Sequence, residues 1–232
     1  GLREADYFVW TPSMMIMYRF FCNIFFAILH SFPLLAALHI TAGLLYGWNI
    51  GDRYYDAEYF SGAQLYSYMF GVFMFTHAIR VLLCFAVEIS AKWTLVGKRK
   101  EGRYNWDSSK YGQNWEFYQI MGQVRKLNRV MTTDLLAGTP YISMYYSALG
   151  ATIEKDVCLY PAGADPSMPE PDLITIGEGC VVDVASIVAH LNTRGNFELV
   201  KIKLEENVTL RTRSRIQQGV IMEQGAMLLE KS

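Results

Sequence analysis

Cysteine is scarce in this chain: Cys22, Cys84, Cys158 and Cys180 are scattered and form neither a CxxC pair nor a disulfide framework. A reduced, cytosol-facing setting is expected. No P-loop, GxGxxG, GxSxG or HExxH motif occurs, and no HxxxH spacing suggests a metal, so neither a nucleotide cradle nor a metal ion is expected. A formal net charge of -1 gives no basis for binding nucleic acid. The chain opens Gly-Leu-Arg, with no initiator Met and no signal-peptide pattern, and is read as a segment of a longer protein.

Apolar residues, by contrast, make up 52% of the sequence, and nearly all the long runs precede Gly97, so two environments are implied. Met14 to Ile50 and Ala63 to Val96 each exceed the roughly 20 apolar residues that a helix needs to cross a bilayer. Trp10, Tyr46, Trp48 and Trp93 stand near their ends, as interfacial anchors do. Between the runs lie Asp52, Asp56 and Glu58 against Arg53, whereas Lys92, Lys98, Arg99, Lys100 and Arg103 crowd the end of the second. The positive-inside rule then places both outer ends, and everything after Lys98, on the cytoplasmic side of a multi-pass protein. His30, His39, His77, Arg80 and Glu88 fall inside the spans and need partners there; hydrogen bonding between helices is favoured over a polar path. Pro33 predicts a kink or break in the first span.

From Gly102 to Leu136 the sequence is aromatic (Tyr104, Trp106, Tyr111, Trp115, Phe117, Tyr118) and then basic (Arg125, Lys126, Arg129). Trp115, Tyr118, Ile120, Met121 and Val124 recur near helical spacing, so an amphipathic helix is expected, either at headgroup level or packed under the next domain. Gly138, Thr139 and Pro140 are expected to end it.

The last stretch repeats every six residues. Leu204, Leu210, Ile216, Met222 and Leu228 are aliphatic, and Val208, Ser214, Val220 and Ala226 follow the first four at a fixed offset, small or β-branched as a tight corner requires. Upstream the register returns as Ile176, Val182 and Val188 with Cys180 and Ser186 at corners, and as Ile153 and Leu159 with Val157. Six is neither a helical nor an ordinary strand period; it marks short strands coiled into a prism. The fold class is therefore α + β: a transmembrane helical hairpin followed by a single-stranded left-handed parallel β-helix of hexapeptide repeats. The divisions are a lead-in over 1-12, the hairpin over 13-97, an interfacial aromatic and basic segment over 98-141 and the β-helix domain over 142-232. Val188 to Leu204 breaks the period, and that interruption holds His190, the one histidine outside the spans.

The order of an apolar hairpin, KWTLVGKRKEGRYNWDS, LLAGTPYISMYYSALGATIEKDVCLY, PDLITIGEGCVVDVASIVAHLNTRG and then hexapeptides resembles one repeat of the C-terminal membrane region of poly-lysine-synthetase-type nonribosomal peptide synthetases and their fungal relatives. The resemblance covers nearly the whole chain. It implies three tandem hexapeptide domains after upstream adenylation and carrier domains, joining an aminoacyl (acyl) thioester to an amine. The thioester would ride on a phosphopantetheine arm supplied from outside this chain, which has no carrier serine site. Partners would be the lipid bilayer, the carrier and adenylation domains, and sister β-helix copies forming a trimer or pseudo-trimer.

By its loop position in the hexapeptide acyltransferase class, His190 would be the general base. Bacterial relatives place a carboxylate shortly after that histidine, where this chain has Asn192 and Thr193, so a supporting carboxylate would be Glu198, Asp172 or Asp183, with Asn192 as a polar neighbour. Arg211, Arg213 and Arg215 alternate with core positions and are read as projecting from one strand, either as a solvated face or as a phosphopantetheine contact. Two other functions stay open: a non-catalytic structural copy of the tandem region, and a coenzyme A-dependent hexapeptide acetyltransferase.

Overall fold

The computed structural model describes residues 9–46, 62–106, 108–127, 132–160, 168–193 and 195–232. Trp48, Asp52, Arg53, Asp56, Glu58 and Arg129, and most of the lead-in, lie outside them. The protein is α + β and divides into two compact units, Ile16–Ala86 and the remainder.

The first unit holds most of two long helices, α1 (Pro12–Tyr46, 35 residues) and α2 (Gly62–Ala91, 30 residues). Both are long and apolar enough to cross a membrane, and less than a third of the most apolar stretch of either is buried. Phe20, Ile28, Leu35, Phe75 and Leu82 are all at least 60% exposed. α1 runs through Pro33 unbroken, so the expected break does not occur. The Thr76 hydroxyl, which bonds back to the Val72 carbonyl, lies 3.3 Å from the Pro33 carbonyl and ties α2 to α1 there.

Arg80 is 4% exposed; its Nη1 lies 2.6 Å from His30 Nδ1 on α1 and its Nη2 3.3 Å from both ring nitrogens of His77 one turn back. Interhelical bonding thus absorbs these ionisable groups. Arg80→Leu is expected to weaken the α1–α2 pairing by about 1 kcal/mol, read as lower energy transfer between labels on the two helices in detergent. Helix content should not change.

In the second unit α2 passes into a π-helical turn, Lys92–Val96, and the chain then forms β1 (Gly102–Asn105) and α3 (Lys110–Lys126). Ser109 caps α3 by accepting from the Gly112 N–H, and Arg125 and Lys126 sit in its last turn, where the helix dipole favours cations. The helix was expected, but Phe117, Tyr118 and Val124 are buried, so its apolar side packs inward. It ends at Lys126. The Gly138-Thr139-Pro140 stretch starts a helix instead: after the short α4 (Thr133–Leu136), Pro140 is the first residue of α5 (Pro140–Ala148), where its missing N–H costs nothing.

The rest is short strands: β2 (Thr152–Ile153), β3 (Cys158–Tyr160), β4 (Ile174–Ile176), β5 (Val181–Asp183), β6 (Ser186–Ile187), β7 (His190–Thr193), β8 (Asn196–Leu199), β9 (Ile202–Leu204), β10 (Thr209–Leu210), β11 (Arg215–Ile216), β12 (Ile221–Met222) and β13 (Met227–Leu228). Three sets pair in parallel: β2-β4-β9-β12, β3-β5-β10-β13 and β6-β11. Partners stack core on core, as Ile153 on Ile176 on Leu204 on Met222, and Leu159 on Val182 on Leu210 on Leu228. Leu204 and Met222 are three hexapeptides apart, as are Leu210 and Leu228, so β9 and β10 each pair with the strand three further on.

One register differs from the sequence reading. Ile187, fully buried, pairs with Ile216, and Ser186 pairs with Arg215, so the core position is Ile187 rather than Val188 and Ser186 is not a corner. The stretch from Val182 to Ile187 is one residue shorter than Leu210 to Ile216; both turn through a positive φ, at Val184 (+47°) and at Arg213 (+62°).

Candidate active site

The interruption of the repeat is a β-hairpin. β7 and β8 pair antiparallel across a turn that includes Gly195 at φ +81°, and β1 adds a third antiparallel strand on the far side of β8. Val200 N–H bonds to the Ala189 carbonyl at 3.0 Å and closes the base of the hairpin. His190 is therefore fixed where the regular strand sets end and the hairpin begins.

Phe197, 1% exposed, stacks on the His190 ring at 4.9 Å and 25°. Trp106 and Tyr111 pack on Phe197 at 5.0 and 5.9 Å, and Trp115 lies edge-on to His190 at 6.4 Å. The aromatic residues after Gly102 thus build a wall behind the histidine. Of the two expected placements, at headgroup level or packed under the next domain, ring packing on Phe197 fits the second.

On the other side of the imidazole, Glu170 Oε1 lies 2.8 Å from His190 Nδ1, and Glu170 Oε2 accepts from the Ala189 N–H at 3.2 Å. The Glu170 side chain is fully buried, whereas His190 is 24% exposed. An Nδ1–H donating to Glu170 leaves Nε2 as the unprotonated ring nitrogen, an arrangement that suits a base held in one tautomer by a buried carboxylate.

Glu170 is itself held by a 3-10 turn, Pro171–Leu173, whose first bond runs from Leu173 N–H to the Glu170 carbonyl. That turn is anchored by Asp172, which accepts from the Arg99 backbone N–H at 2.6 Å and from Arg99 Nη1 at 2.8 Å, with Lys92 Nζ at 3.2 Å. All three side chains are 0–1% exposed. Burial alone would raise the Asp172 pKa; the Arg99 charge, its two hydrogen bonds and then Lys92 outweigh this and hold the carboxyl below its ordinary value. Arg99 Nε also donates to the Tyr111 hydroxyl at 3.1 Å, so the same guanidinium steadies the aromatic wall.

Gly150, at φ +111°, leaves room for this cluster: a Cβ there would stand 2.7 Å from Asp172 Cβ and 3.2 Å from Lys92 Nζ. Gly150→Ala is expected to cost about 2 kcal/mol, from backbone strain and displacement of the ion pair. A lower thermal midpoint in detergent is the readout.

The other candidates fall elsewhere. Asp172 does not touch His190; it acts one turn away. Glu198, on β8, pairs with Arg103 of β1 at 3.0 Å near the surface. Asp183 accepts from the Thr212 hydroxyl at 2.5 Å, and Asn192 is an exposed residue of β7 opposite Phe197. Arg211, Arg213 and Arg215 are exposed but do not share a strand: β10 ends at Leu210, Arg213 turns at φ +62° and only Arg215 lies in β11. Arg211 faces Glu230 at 3.5 Å. Lys92 and Arg99, counted above among the positive residues after the second run, are buried and share the one Asp172 carboxylate; Lys98 and Lys100 are exposed.

Glu88, on α2, binds Arg125 Nε at 2.5 Å and accepts from the Tyr145 hydroxyl at 2.8 Å, joining α2, α3 and α5. Its place in the apolar run is thereby explained. All four cysteines are free, and among the described residues no group of three or more His, Cys, Asp and Glu is placed to hold a metal.

Glu170 is the residue that sequence reading passed over. Its signal was present: it stands between Pro169 and Pro171, a rigid setting for a carboxylate, but nothing in the spacing ties it to a histidine twenty positions on. Comparison with known protein families, with curated proteins and with solved structures gave no match.

Proposed function

We propose that this protein is an acyltransferase-like module of a membrane-bound synthetase, joining a carrier-bound aminoacyl (acyl) thioester to an amine. The observation that carries this reading is the buried Glu170 carboxylate on Nδ1 of a partly exposed His190. A purely structural copy has no need of a fully buried carboxylate aimed at a solvent-reachable imidazole, since an unpaired surface histidine costs nothing in water.

In the reaction, the neutral amine attacks the thioester carbonyl, a C–N bond forms and the C–S bond breaks. His190 Nε2 takes the proton that the amine sheds, and Glu170 stabilises the imidazolium. The proton then goes to the departing pantetheine thiolate, so the histidine is restored and the products are an amide and a free thiol.

The parallel strand sets, their three-hexapeptide circuit and their stacked aliphatic cores support a left-handed β-helix as their architecture. α1 and α2 are read as spanning the bilayer, with the strand-rich unit on the cytoplasmic side beside Lys98 and Lys100. Carrier and adenylation domains would supply the thioester, and sister copies would complete a trimer or pseudo-trimer.

The test is direct. The chain, reconstituted in nanodiscs and given an aminoacyl-pantetheine thioester and an amine, should yield amide and free thiol in equal amounts by mass spectrometry and thiol titration. Thiol without amide would make it a thioesterase and sink the proposal.

A further inference from the structure

α5 carries no charged residue. Ile142, Tyr145 and Tyr146 are buried beneath it, yet Tyr141 and Met144, three positions apart on its other side, are 63% and 65% exposed. Leu135 of α4 is 64% exposed, as is Leu127 at the end of α3. These elements adjoin: Arg125 of α3 bonds to Thr133 of α4 through Nη1, and the Thr132 hydroxyl donates to the Arg125 carbonyl. Four large apolar side chains on these adjoining short elements are thus mostly bare. Their exposure has no explanation in water.

Their position suggests what covers them. Trp93, at the end of the second apolar run and 44% exposed, donates its indole N–H to the Ala148 carbonyl at 2.8 Å, which pins the C-terminal end of α5 to the residue that marks where lipid would end. Exposed Lys98 and Lys100 follow within seven positions, as headgroup-level cations do. Tyr141 adds a ring with a polar tip, suited to the same depth.

We propose that the face formed by Leu135, Tyr141 and Met144, flanked by Leu127 and Trp93, lies in the boundary between headgroups and acyl chains of a bilayer. It rests on the membrane reading of α1 and α2, and it replaces α3 as the interfacial element. Docked this way, α5 holds the strand-rich unit against the membrane by a second contact besides the span itself.

The experiment uses the full chain in phosphatidylcholine and phosphatidylglycerol liposomes, in a Cys158→Ser background, with bimane on Met144→Cys or Leu135→Cys. Met227→Cys, on exposed β13, and Phe75→Cys, on α2, are the references. Shallow nitroxide lipids should quench bimane at 144 and 135 about twofold or more, as expected within the depth of an interfacial helix, and leave 227 unaffected. Deep nitroxide lipids should quench bimane at 75. If 75 is quenched while 144 and 135 behave like 227, the inference is overturned and the membrane reading stands. If 75 is not quenched either, the membrane reading itself fails. Emission at 144 that responds to protein-to-lipid ratio but not to quencher would make the face a contact between copies, which also overturns the inference. Two label sites guard against one variant failing to fold.

Discussion

His190→Ala is expected to lower amide formation from an aminoacyl-pantetheine thioester about 100- to 10,000-fold, the range that a positioned general base contributes. The substitution removes a side chain that is 24% exposed and leaves Glu170 bonded to the Ala189 N–H, so the fold should persist and the loss should be chemical. Glu170→Gln is the sharper companion. It keeps the shape of the side chain but removes the charge that steadies the imidazolium, and its amide nitrogen cannot accept an N–H. A loss of about 100-fold or more is expected in the same assay, by analogy with neutralising the orienting carboxylate of a triad. Full activity in both variants would take His190 out of the chemistry and leave the structural copy as the better account.

Asp172→Ala should have the largest effect on stability. It leaves Arg99 and Lys92 buried with no opposing charge, and breaking a buried pair from one side costs about 3–5 kcal/mol. The thermal midpoint in detergent should fall accordingly, and the triple variant Asp172→Ala, Arg99→Leu, Lys92→Leu should recover much of it, since the stranded charges are then gone. No loss in the single variant would show that the cluster does not hold the 3-10 turn.

The same carboxyl sets a pH dependence. Its folded pKa lies below the ordinary value of about 3.9. Its contribution is therefore complete above that value and is lost as pH falls through the folded pKa. Acid unfolding followed by tryptophan fluorescence should show a limb below about pH 4 that Asp172→Asn removes.

Sequence reading reached the large features because each is set by a local period. A run of apolar residues makes a membrane-length helix whatever surrounds it, and α1 and α2 run close to the expected limits. A six-residue period commits the chain to short parallel strands, and Leu204, Leu210, Ile216, Met222 and Leu228 occupy the positions it names. The failure of that period located His190, since residues that break a six-residue period leave the parallel strand sets as an excursion. What turned on pairing between distant segments was not legible. Phe197 and the rings of α3 face inward because β1 adds to the hairpin from nearly a hundred positions away, and no local pattern encodes that strand. Val188 lost its core place to Ile187 because the neighbouring circuit, not its own hexapeptide, sets the register.

The hydrophobic periods thus determine the apolar helices, the repeat and the place where the repeat breaks. Tertiary structure alone decided which carboxylate meets His190. Glu170 does so because Asp172, two residues on, is clamped by Arg99 and Lys92 from beyond the end of α2. Burial makes each of those charges seek the others across the chain, and a sequence records the charges but not the distance between them.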